Sequence, residues 1–71
     1  VLPVPRHRQL LGKQVRFYRK LNKLTQEKLA EKAELAAPYV SDVERGRVNI
    51  SVDALQRVAN ALGVKLSALF E

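Results

Sequence analysis

A chain of 71 residues without a single cysteine has few ways of holding a folded state. A core this small supplies little net stability, and small domains usually add disulfides, a structural metal, self-association or very regular helix packing. The missing thiols exclude disulfides, thiolate metal sites and cysteine nucleophiles. The lone histidine, His7, offers neither a metal set nor an acid/base pair without a second member. The length leaves no room for a second core or a large catalytic cleft. One all-α domain is expected, with no cofactor, no metal and no enzymatic activity.

The punctuation along the chain is that of short helices. Pro3 and Pro5 fix φ and push their predecessors out of the α region, so residues 1–6 read as an extended arm. Leu11, Val15 and Tyr18 then recur at i, i+4, i+7, with Leu10, Phe17 and Leu21 beside them, which predicts an amphipathic helix over about residues 7–21. Thr25 is an N-cap for a second helix running to about Ala33, and Leu24 with Leu29 has the spacing of a hydrophobic staple. Lys28 stands where a capping box wants glutamate.

Pro38 fits only a first turn, so a third helix starts near Ala36 or Ala37, passes through Tyr39, Val40 and Val43, and ends at a left-handed Gly46. Ser51 caps a fourth helix, with Ile50 and Leu55 as its staple and Gly63 as its stop. A last short turn, Leu66 to Phe70, makes five helices and no strand. One face per helix gives the expected core: Leu11, Val15, Leu29, Ala30, Val40, Val43, Leu55, Val58, Ala59, Leu62 and Leu69.

Thirteen Lys+Arg against seven Asp+Glu leave a formal charge of +6, which favours a polyanionic partner. Arg6, Arg8, Lys13, Arg16, Arg19, Lys20 and Lys23 stand in the first 23 residues with no acid among them. No apolar run approaches the roughly 18 residues that span a bilayer, and the proline-broken start is too short for a signal h-region. These features predict a soluble, intracellular protein with no membrane partner.

Between Gln26 and Glu44 two short helices are joined by about three residues, Glu34 to Ala36, the geometry of a helix-turn-helix. Leu24-Thr25-Gln26-Glu27-Lys28-Leu29-Ala30, Tyr39-Val40-Ser41, Val43-Glu44-Arg45-Gly46 and Ala59-Asn60-Ala61-Leu62-Gly63-Val64, with Leu11-Gly12, Val15-Arg16 and Arg19-Lys20 before them, resemble the lambda-repressor/Cro type DNA-binding domain of the Xre family. The resemblance covers about residues 10–70. Asn49-Ile50-Ser51 is further similar to the small controller proteins of restriction-modification systems.

This resemblance implies a five-helix lambda-repressor-like domain over residues 7–71, with the helix-turn-helix at about 25–45. The implied function is sequence-specific binding of double-stranded DNA by a homodimeric transcriptional regulator, third helix in the major groove. Gln26, beside Thr25 at a helix N-terminus, would donate to phosphate. Arg45, Arg47 and Asn49 match the loop that follows the backbone. Arg19 and Glu44 match a charge pair tying the first helix to the third, which also places the arginine near phosphate. In the recognition helix, Ala37, Pro38 and Asp42 fall at positions that reach base edges, with Tyr39 and Ser41 beside them.

Two of these, Ala37 and Pro38, carry no side-chain donor or acceptor, so direct reading is thin. Asp42 can accept from cytosine N4, and alanine can touch a thymine methyl. Glu34 replaces the glycine usual in the turn, at a cost of about 1 kcal/mol if left-handed. Ala36 brings no capping oxygen. The rival readings are a protein-interaction module on the same fold and a membrane-surface helix made of residues 6 to 23. The second conflicts with the need for Leu11, Val15 and Tyr18 in the bundle. For a dimer surface, the apolar residues left over are Val48, Val64, Leu66, Ala68 and Phe70.

Overall fold

The computed structural model describes residues 6–71. Four α-helices follow one another: α1 (Arg6–Leu21), α2 (Gln26–Ala33), α3 (Ala37–Glu44) and α4 (Val52–Leu62). The fifth segment, Leu66–Phe70, is a 3₁₀ helix, η1, and not the fifth α-helix that the sequence predicts. Five residues behind an N-cap without a side-chain bond, Lys65, close a turn more readily by i→i+3 bonds, such as Ala68 N–H to Lys65 C=O at 3.0 Å. No strand occurs among the described residues. Arg6 already belongs to α1, and the rest of the expected arm lies outside the described residues.

All four α-helices end with the same pair of hydrogen bonds, in which the chain reverses through one left-handed residue. After α3 the turning residue is Gly46 (φ 72°), with Gly46 N–H to Val43 C=O at 3.0 Å and Arg47 N–H to Asp42 C=O at 2.9 Å. Gly63 does the same after α4. After α1 and α2 the job falls to Lys23 and Glu34, both at φ 57°, where a β-carbon is strained. Glu34 in the helix-turn-helix turn therefore carries the penalty its residue type suggests.

The helix starts follow local chemistry. Thr25 Oγ1 accepts from Lys28 N–H at 3.0 Å and Ser51 Oγ from Ala54 N–H at 3.1 Å. Ala36 makes no such bond, and Pro38 in the first turn compensates by pre-setting φ. Every residue of the expected core is buried, joined by Ala33 and Ala54. Leu24 and Ile50, the outer members of the two staples, lie half-buried against that core.

The position of α1 is set by Gly12. A β-carbon there would lie 2.5 Å from the carbonyl oxygen of Glu44 and 2.7 Å from that of Val43, so the α1 backbone touches the last turn of α3. Gln14 Nε2 donates to Ala68 C=O at 3.1 Å, and Asn22 Nδ2 to Leu62 C=O at 3.2 Å, which ties the middle of α1 to η1 and the residue just after it to α4. Gly12→Ala is expected to cost about 1–3 kcal/mol, because the obstacle is backbone that cannot rotate away. Glu34→Gly is expected to gain about 0.5–1 kcal/mol by removing left-handed strain. Urea unfolding of the two variants checks both signs.

Candidate nucleic-acid interface

One carboxylate organises this face of the molecule. Glu44, whose side chain is only 4% exposed, accepts from Arg19 Nε at 2.6 Å, from Arg19 Nη2 at 3.1 Å and from Gln26 Nε2 at 3.1 Å. Arg19 Nη1 also donates to Leu24 C=O at 2.9 Å, in the connection between α1 and α2. The two-pronged arginine contact suits the planar guanidinium and fixes its direction, as a lysine could not. Three segments thus meet at one residue: the end of α1, the first residue of α2 and the last of α3. The sequence predicts the Arg19–Glu44 pair and directs Gln26 outward to phosphate; the bond from Gln26 to Glu44 is an additional role that the structure gives it.

Gln26 still has a second N–H on its amide. Thr25 accepts with its hydroxyl oxygen and retains an O–H to donate. The N–H groups of the first turn of α2 add the positive end of the helix dipole. An open cleft of about 530 Å³ lies between this helix start and α3, lined by Arg19, Thr25, Gln26, Glu27, Ala37, Pro38 and Ser41. Glu27 also lines that cleft.

The structure separates the five recognition-helix residues. Ala37, Pro38 and Ser41 face the cleft, with Pro38 fully on the surface. Asp42 is half-buried and not among the cleft walls. Tyr39 is half-buried and packs in part against the core.

Beyond α3 the loop alternates. Arg45, Arg47 and Asn49 are exposed, whereas Gly46 is buried and Val48 and Ile50 are half-buried against the core. The inward apolar residues pin the segment, and the same zigzag turns the three polar side chains outward. Val64 and Leu66, offered above as dimer contacts with Val48, likewise serve as lids on the core. Phe70 is free of that duty, with 59% of its surface exposed.

A helix-turn-helix family match (HTH_3) runs over residues 15–69, which contains the whole cleft and the loop behind it. The chain belongs to the helix-turn-helix family of the Xre type. This helix-turn-helix protein is 48% identical over 59 residues to the immunity repressor of Bacillus phage phi105, covering 83% of the chain but 41% of that repressor. It is 40% identical over 65 residues to the control protein C.BamHI of Bacillus amyloliquefaciens, covering 90% of the chain and 80% of the relative. Among solved structures, the restriction-modification controller protein C.AhdI of Aeromonas hydrophila superposes with a TM-score of 0.87 at 35% identity, over 89% of this chain and 96% of that one. The hypothetical transcription factor NHTF from Neisseria gives a TM-score of 0.90 at 34% identity, over all of this chain and 85% of that one. DNA binding and transcription regulation are the work of this family.

Among the described residues no helix is long and apolar enough to cross a membrane. Glu44→Ala is expected to destabilise the helix-turn-helix domain by about 3 kcal/mol, since it strands a largely buried guanidinium. Replacing both partners with apolar residues, Arg19→Met with Glu44→Leu, is expected to recover most of that loss. A double-mutant cycle in urea checks the coupling.

Proposed function

We propose that the protein is a homodimeric transcriptional regulator that binds duplex DNA with α3 in the major groove. The observation that carries this reading is the bracket around α3. The Thr25–Gln26 helix start flanks the cleft before it, and the outward row Arg45, Arg47 and Asn49 follows it, so donors stand before and after α3. Donors so placed suit the phosphates that border a groove, which position a protein without reading sequence. Arg19 also lines the cleft, with its guanidinium charge largely balanced by Glu44.

Reading of bases falls to few groups. Ser41 brings a hydroxyl at the cleft and Asp42 an acceptor for cytosine N4, while Ala37 and Pro38 offer only apolar contact. The remainder of the specificity rests on DNA shape and deformability. Few base contacts per copy also argue for two copies on half-sites about one helical turn apart, related by a two-fold axis. The segment around η1, where Phe70 stands clear of the core, is the face we assign to that contact.

The scarcity of donors on Ala37 and Pro38 is what favours the second reading, an interaction module with little affinity for DNA. Salt separates the two. Duplex affinity is expected to fall with salt by about 0.9 log units per log unit for each phosphate neutralised. A flat response would put the interaction module ahead.

Selection of bound sites from random DNA, with sedimentation of the free protein, tests the rest. Two inverted copies at fixed spacing and a dimer in solution are expected; a monomer that selects one unrepeated half-site contradicts the dimer. Arg45→Ala is expected to weaken all sequences alike, and Asp42→Ala to change the preferred sequence. An unaltered site for Asp42→Ala would remove Asp42 from the groove.

A further inference from the structure

Packing uses only one of two apolar rows on α1. Leu11 and Val15 enter the core, whereas Leu10, Phe17 and Leu21 are 48%, 56% and 65% exposed. At about 3.6 residues per turn these three form a single stripe, opposite the side on which Gly12 and Arg19 meet α3. Single exposed apolar residues are ordinary, but three in register on one helix are not. The Phe17 ring is held edge-to-face by Tyr18, with centroids 5.1 Å apart, so the central residue of the stripe is already positioned.

Charge decides what such a stripe fits. Arg6, Lys13 and Lys20 follow one border, and α1 contains no acid at all. The other border is Gln14, tied to Ala68, and η1, which bears no base. From this arrangement we infer that the outer face of α1 docks an acidic amphipathic helix of another protein, whose apolar side chains meet Leu10, Phe17 and Leu21 while its carboxylates face the lysine border. A second copy of this chain fits poorly. Antiparallel two-fold pairing of α1 with itself would set the lysine border of one copy, Lys13 and Lys20, against that of its mate. A bilayer also fits poorly, because an interfacial helix needs cations on both borders of its apolar stripe, and here only the Arg6, Lys13 and Lys20 border carries them.

The test uses the whole protein, free and bound to duplex DNA, titrated with a fluorescein-labelled peptide of about five helical turns carrying Leu and Phe at i, i+4, i+7 and glutamate on the flanks. Saturable binding is expected in both states, with amide NMR shifts centred on Lys13, Phe17 and Lys20. Phe17→Ala, and separately Lys13→Glu with Lys20→Glu, are each expected to weaken it about tenfold or more. Because these side chains are exposed, the variants keep the native circular dichroism.

A peptide of equal charge with alanine in place of Leu and Phe is expected not to bind. If it binds equally well, or if DNA displaces the original peptide, the contact belongs to the DNA face and the inference fails. Binding to phosphatidylserine vesicles without peptide binding assigns the stripe to a membrane. A change in sedimentation of Phe17→Ala, again without peptide binding, assigns it to self-association. Either result overturns the proposal, and neither bears on whether DNA is bound.

Discussion

The junction of α1 with the last turn of α3 governs the domain. At Gly12 the two backbones touch, and two turns further along α1 the Arg19 guanidinium closes on Glu44. A glycine and a charge pair are opposite solutions to one requirement: the first allows close approach, the second sets its direction. Removing water from Glu44 is costly, and the cost is offset because three N–H groups converge on it. Since Gln26 is one of these donors, the distance from the start of α2 to the exposed side of α3 is set from inside the protein.

The helices themselves contribute little to this rigidity. α2 and α3 have eight residues each, below the length at which an isolated helix persists in water. They exist because both ends are finished, by caps or proline at the start and by paired hydrogen bonds at the close, and because the buried side chains of each helix reach a common core. In a chain without disulfides that economy is enough to hold the cleft open in one shape.

Features that depend on neighbours in sequence were legible beforehand. Thr25 and Ser51 cap through bonds three residues long, and the core residues repeat at the helical period, so both could be read from spacing. The alternation at 45–50 was legible only in part: Arg45, Arg47 and Asn49 were singled out, but the anchoring by Val48 and Ile50 is a tertiary fact. The capture of Gln26 by Glu44 spans 18 positions and leaves no trace in local pattern. On α1, the row Leu11, Val15 and Tyr18 already separates Leu11 from the equally apolar Leu10, and the structure buries Leu11. Over Leu66–Phe70 helical spacing does not distinguish an α-turn from a 3₁₀ turn, because five residues are too few.

The left-handed residues between the helices bear on how such proteins are found. Lys23 and Glu34 occupy a conformation that favours glycine, yet the hydrogen bonds around them match those around Gly46 and Gly63. The turn is therefore defined by its bonding register and not by the identity of the residue at its apex. A search pattern that demands glycine in the helix-turn-helix turn passes over this chain, whereas one built on the two capping bonds and the apolar residue that follows, Leu24 or Leu35, retains it.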